Sequence, residues 1–239
     1  MVAAGHGSQW VGQQAYWWYR ARGKFFDAFF GPLLSPHAQV LDIGSADGPS
    51  AKFIDEILKF GTGRKISMDI DPEGLGPDDI VASAEAIPVA DESFDMVSAF
   101  DVIEHCEHEA LAVGEIHRVL KPGGYFFMAV PAYQWAWSNH DVEMHHYRRY
   151  TVKRARAALE RAGFTVQKSS YAYRATFIPF LLQRLASKLR HSFAGASPEV
   201  SPLQDRILMW LCGFDRRALQ RGSTLHYGSS VLIVGKKAS

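Results

Sequence analysis

Short apolar blocks alternate along the chain with longer stretches in which apolar positions recur every three to four residues. The blocks at 39–43, 65–70, 80–82, 94–100 and 125–130 are short and continuous, the pattern of strands buried on both faces. Between them, 51–60 and 107–120 carry a helical period. Gly44 ends the first block, and Pro49 suits the first turn of the helix after it. Lys121-Pro122-Gly123-Gly124 reads as the stop of the second helix. A helix over 152–162, a strand over 165–171 and a last strand over 230–236 complete the run. Strands alternating with helices predict an α/β, doubly wound Rossmann-like sheet. Before the core, residues 9–34 mix aromatic and basic residues at amphipathic-helix spacing, and 172–228 is too long to be a plain connection.

Composition narrows the function classes more than the fold. Lys plus Arg number 26 against 25 Asp plus Glu, so no basic field points to a nucleic-acid partner. Cys106 and Cys212 stand alone, outside any CxxC spacing, which argues against a disulfide framework or a structural zinc site. The first apolar stretch is broken by Arg20, Arg22, Lys24 and Asp27, so no signal segment is readable and a cytoplasmic protein is expected. The apolar run at 177–182 is far too short to span a bilayer.

The turn after the first strand reads Asp42-Ile43-Gly44-Ser45-Ala46-Asp47-Gly48. Small residues there let backbone N–H groups approach a ligand at a helix amino terminus. Asp69 ends the second strand about 20 residues later, the separation at which a carboxylate reaches a ribose diol. A G-x-G-x-x-G register from Gly44 places Ala46 and Pro49 at its second and third glycines, which disfavours a pyrophosphate binder.

These segments, VLDIGSADG, ISMDIDPEGL, FDMVSAFDVIEH and RVLKPGGYFFMAVP, resemble in order and spacing the motifs of class I S-adenosylmethionine-dependent methyltransferases. The resemblance implies a seven-stranded sheet, mostly parallel with an antiparallel last strand, and S-adenosyl-L-methionine as cofactor. It implies that Asp42, Gly44, Ser45, Ala46 and Gly48 surround the methionine portion, that Asp69 holds the ribose and that Ile70 packs on adenine. Ser83, Ala84, Glu85, Phe100 and Asp101 complete the expected cofactor contacts, although the family usually has Asp at position 83 and Gly at 46. One domain over 1–239 follows, with a helical lid over 1–36, a cofactor core over 37–171, a helical insertion over 172–228 and the final strand over 229–239. WWYRAR, SNHDVEMHHYRRYT and HYGSSVLIVGKK are similar to a subgroup of small bacterial methyltransferases associated with glycan or secondary-metabolite genes.

Crevices in such sheets lie beyond the carboxyl ends of the strands. Asp101, Glu104 and His105 follow the fourth strand, and 131–150 follows the fifth with the densest polar group of the chain. Three readings are open. His146, with His140, Asp141 and His105 about it, is a general base. Alternatively His140, Asp141 and His146 hold a divalent metal, or these residues satisfy one another within a loop. Tyr16, Trp17, Tyr133, Trp137, Arg149 and Tyr150 are candidate contacts to the acceptor. The expected reaction is O-methylation of a sugar or polyol-bearing small metabolite. The alternatives are a lipid or quinone-type acceptor, met by the basic amphipathic 172–228 segment at a membrane surface, and a non-catalytic S-adenosylmethionine binder. A homodimer through that segment is also open.

Overall fold

The computed structural model describes residues 16–44, 52–190 and 200–239, with the side chains of 183 and 185–190 set aside. Ser45, Ala46 and Gly48 lie outside the described residues, as do 1–15 of the expected lid. One sheet in the order β3-β2-β1-β4-β5-β7-β6 organises the molecule. Its strands are β1 (Gln39–Ile43), β2 (Arg64–Asp69), β3 (Ile80–Val81), β4 (Phe94–Phe100), β5 (Leu120–Pro131), β6 (Phe164–Ala172) and β7 (Ser230–Lys237). Pairing from β3 through β5 is parallel, and β7 runs antiparallel between β5 and β6.

The continuous apolar runs follow from burial on both faces. Phe126, Met128 and Val130 of β5 point to one core, with Leu41, Ile43, Val97, Val231 and Ile233. Phe127 and Ala129 point to the other, with Val40, Met96, Leu232 and Val234. The first core is covered by α3 (Glu109–Val119) through Ala112, Val113 and Ile116 and by α5 (Val152–Arg161) through Ala155 and Leu159. The second is covered by α1 (Trp17–Phe30), α2 (Lys52–Leu58) and α7 (Pro202–Gln220). Phe25, Phe26, Phe29 and Phe30 of α1 are all buried, each worth roughly 2–3 kcal/mol of transfer free energy. That burial makes the described part of the expected lid a layer of the core.

The insertion between β6 and β7 consists of α6 (Phe177–Arg190) and α7. Ser201 caps α7 reciprocally with Gln204, and Pro202 occupies its first turn. One boundary differs from expectation. Residues 120–124 already belong to β5, because Leu120 pairs with Phe94 and a bulge with Gly123 at φ +80° carries the strand into its regular register. Among the described residues, no helix is long and apolar enough to cross a membrane.

Candidate active site

Two groups of side chains gather at the carboxyl ends of the strands. On the β1–β2 side, Gly44 takes φ +71° and donates its N–H to the Met68 carbonyl at 2.7 Å. A Cβ at this position would collide with the Val102 side chain, so the turn needs glycine both for its dihedral and for the close approach of the β4 loop. Asp42 is buried, with Oδ1 accepting the Ser98 hydroxyl at 2.5 Å and Oδ2 without a hydrogen-bond partner among the described residues. Burial pushes its carboxyl up to about 6, with the Ser98 hydrogen bond opposing. Asp69 caps the turn after β2 by accepting the Asp71 N–H at 3.1 Å, and Ile70 beside it is 68% exposed. Ser83 accepts the Glu85 N–H, Glu85 accepts the His108 N–H, and Ala84 is packed in the first core.

On the β4–β5 side the chain is tightly cross-linked. Asp101 leaves β4 at φ +55° and pairs with the buried Arg22 of α1. Glu104 follows in a short 3-10 turn, fully buried, with neither carboxylate oxygen hydrogen-bonded among the described residues. Burial, then the Asp101 charge, holds its carboxyl well above the usual carboxylate range. His105 is pushed down to about 4 by burial and by the neighbouring His146, whose ring meets it edge-on at 4.6 Å.

The 138–149 segment arranges itself around Asp141. Ser138 and Asp141 form a capping box at the start of the short helix α4 (Asn139–Glu143). Oδ1 of Asp141 accepts from His146 Nδ1 at 2.8 Å and Arg149 Nε at 2.6 Å; Oδ2 accepts from Arg149 Nη2 at 3.0 Å and the Ser138 N–H at 2.8 Å. Burial alone would raise this carboxyl, yet hydrogen bonds from His146 and Arg149 hold it far below its ordinary value. An ionised carboxylate only accepts, so His146 Nδ1 carries the proton of that bond, and in the neutral ring Nε2 is the acceptor. His140, half-buried, is lowered by burial and then by Arg184 of α6. Arg184 itself donates to the Ser138 hydroxyl at 2.5 Å, which ties the insertion to this segment.

Several expected contacts acquire other duties. Phe100 packs against Phe26 at 4.3 Å and against Phe30 and Phe53, within the second core. Tyr150 is fully buried with its hydroxyl on Glu109 at 2.5 Å, and Arg149 is 4% exposed and bound to Asp141. Neither presents its polar end to an acceptor. Asp141 spends both oxygens on these partners, so the His140, Asp141, His146 metal set is not assembled; the described residues bring together Glu104, His105 and His146 instead, with donor atoms within 4.8 Å of one another.

Tyr133, at φ +63°, stacks between Trp135 and Tyr171, while Trp137 is half-buried behind this face. Tyr16 and Trp17 stand at the start of α1, where Trp17 and Trp18 pack on Tyr173. Arg22 and the burial of Glu104 were not foreseen. WWYRAR and DVIEH contain both residues, but only tertiary packing turns them toward the crevice.

Residues 41–128 match a family model described as a methyltransferase domain. A malonyl-[acyl-carrier protein] O-methyltransferase of Methylococcus capsulatus is 34% identical over 101 residues, covering 37% of this chain and 36% of that protein. The mitochondrial 2-methoxy-6-polyprenyl-1,4-benzoquinol methylase of Xenopus laevis is 33% identical over 112 residues, 46% of this chain and 35% of that one. The chain thus spans about a third to a half of the length of the curated relatives it matches. A solved S-adenosylmethionine-dependent methyltransferase from Archaeoglobus fulgidus is similar in fold, with a TM-score of 0.60 at 18% identity over 96% of this chain and 99% of that one. The sheet order, the Gly44 turn between Asp42 and the Asp69 strand end, and these matches make residues 41–128 similar to a methyltransferase domain, on a fold shared with solved S-adenosylmethionine-dependent methyltransferases.

Proposed function

We propose that this chain methylates a hydroxyl of a sugar or other polyol-bearing small molecule. When bound, S-adenosylmethionine supplies an electrophilic methyl group on a sulfonium, so the protein's tasks are alignment and proton removal. The residues present suit that cofactor. The buried, unpartnered Oδ2 of Asp42 is an acceptor suited to an ammonium group, and the glycine turn lets the backbone approach a ligand. Asp69, at the end of the neighbouring strand, would meet a ribose diol, and exposed Ile70 would offer an apolar contact.

The observation that carries the choice of a hydroxyl is His146. Its ring is oriented by an ionised aspartate at Nδ1 and presents Nε2 as a base near the crevice. Nε2 takes the hydroxyl proton, and Asp141, pinned by Arg149 and Ser138, stabilises the imidazolium that results. The aromatic stack of Tyr133, Trp135 and Tyr171, in which Trp135 is exposed, would offer a ring face to an acceptor.

A second acceptor class is favoured by a separate observation. Ile178 and Leu182 of α6 and Leu203, Ile207 and Trp210 of α7 are exposed, an apolar surface suited to a lipid or quinone-type acceptor at a membrane interface. Both readings keep a small-molecule acceptor, and acceptors presented with and without detergent separate them.

Calorimetric titration with S-adenosylmethionine and S-adenosylhomocysteine tests the shared step. Both ligands should bind, and Asp69→Ala should weaken binding at least tenfold, roughly 1.4 kcal/mol. Failure of the intact protein to bind either ligand overturns the proposal. In turnover, His146→Ala should lower kcat by roughly 10²–10⁴ while leaving cofactor affinity intact; an unchanged kcat removes the base.

A further inference from the structure

Glu104 is the buried group that the base mechanism leaves unexplained. Its side chain is fully buried, and both carboxylate oxygens lack a hydrogen-bond partner among the described residues. A buried carboxylate in that state is costly and calls for a counterpart. The cations near it are committed elsewhere: Arg22 is paired with Asp101 and Arg149 with Asp141. His105 and His146 each bring a nitrogen to it, and the three donor atoms lie within 4.8 Å of one another. Donors on one ion at bonds of about 2.1 Å stand roughly 3–4 Å apart, so a contraction of up to about 1–2 Å closes the set.

We propose that Glu104, His105 and His146 bind a divalent first-row transition-metal ion. Two imidazoles and a carboxylate favour zinc, manganese, iron or cobalt over magnesium or calcium, and three protein ligands leave coordination positions open. The surroundings match those of metal-ligating histidines. His146 donates its other nitrogen to Asp141, and His105 is hydrogen-bonded to the Met144 backbone. The Tyr147 N–H to the Glu104 carbonyl, at 2.8 Å, holds the histidine-bearing segment against the turn that carries Glu104.

Ion binding stands on this geometry alone; its role rests on the methyl-transfer reading above. With an ion in place His146 is a ligand and no longer the base. An ion held there would acidify an acceptor hydroxyl, whose proton would pass to solvent, and so would take over the proton removal that the imidazole base performs without it.

The test uses the full chain, stripped with chelator and titrated with Co²⁺ followed by visible absorption, and with Zn²⁺ and Mn²⁺ by calorimetry. One ion per chain is expected, with at least a tenfold loss of affinity in Glu104→Gln and in His105→Ala and retained affinity in His145→Ala. A cooperative unfolding transition verifies folding of each variant; should Glu104→Gln lack one, His105→Ala carries the comparison. Absence of binding by all three ions, or equal affinity in the folded site variants, overturns the metal site. Cofactor titration of the stripped protein separates the two proposals. Cofactor binding without ion binding sinks the metal site alone, and ion binding without cofactor binding sinks methyl transfer and leaves the site.

Discussion

Asp42 at the end of β1 and Asp141 in α4 are both buried, yet they stand in opposite electrostatic states. Asp141 has donors on both oxygens and a bidentate arginine, and its carboxyl lies far below the ordinary range. Among the described residues Asp42 has one hydroxyl donor and an oxygen without a partner, and burial pushes it up to about 6. A carboxylate whose partners are all supplied by its own chain is a structural anchor. One left short of donors is open to a ligand, and the proposed function gives that place to the cofactor.

The largest expected effect tests the anchor. Asp141→Ala leaves the Arg149 guanidinium buried without its counter-ion and should cost about 3–5 kcal/mol, read from the urea unfolding midpoint. A loss under about 1 kcal/mol would make Asp141 as dispensable to the fold as Asp42 and break the contrast. Gly44→Ala, next to Asp42, should cost about 1–3 kcal/mol in stability, because alanine must hold φ +71° against Val102. It should also weaken cofactor binding; unchanged values on both counts would mean that the turn is free to move.

The pH dependence sharpens the comparison through its sign. Asp42 has a folded-state pKa raised from 3.8 to about 6, so the stability it contributes is complete below the lower value and is lost as pH rises through the upper one. Relative to Asp42→Asn, the intact chain should therefore gain stability as pH falls from 7 to 4, while its affinity for the cofactor should drop below about pH 6. A difference between the two proteins that is flat across that window would refute the reading of Asp42 as open to a ligand. The smallest effect belongs to Ser98→Ala, which removes the hydroxyl donor of Asp42 and should cost about 1 kcal/mol in thermal or urea unfolding. A gain in stability would show that Ser98 constrains the site more than it satisfies it.

The strand-end half of the candidate site, Asp42, Gly44 and Asp69, was legible in position because its determinants are local. Asp42, Gly44 and Asp69 sit at strand ends whose positions the apolar blocks announce, and β1 and β4 fall where those blocks lie. The acceptor half was legible only as a crowded segment. His140, Asp141, His146, Arg149 and Tyr150 were visible as a group, but their division of labour was not. Arg149 and Tyr150 turn inward to Asp141 and Glu109, residues 8 and 41 positions away along the chain. The packing of Phe100 on α1 was hidden for the same reason, since strand periodicity shows that it is apolar but not which face of the sheet α1 covers.

The sequence by itself determined the order of elements, the winding of the sheet, the glycine turn and the acidic strand end, because hydrophobic period and backbone stereochemistry act over a few residues. Tertiary structure decided which charges find partners. It brought Arg22 to Asp101 across 79 positions and Arg184 to Ser138 across 46, and it enclosed Glu104 beside His105 and His146 with no donor of its own. Ionisation, tautomer and ligand capacity depend on burial and on neighbours remote in the chain, and these exist only once the layers have packed.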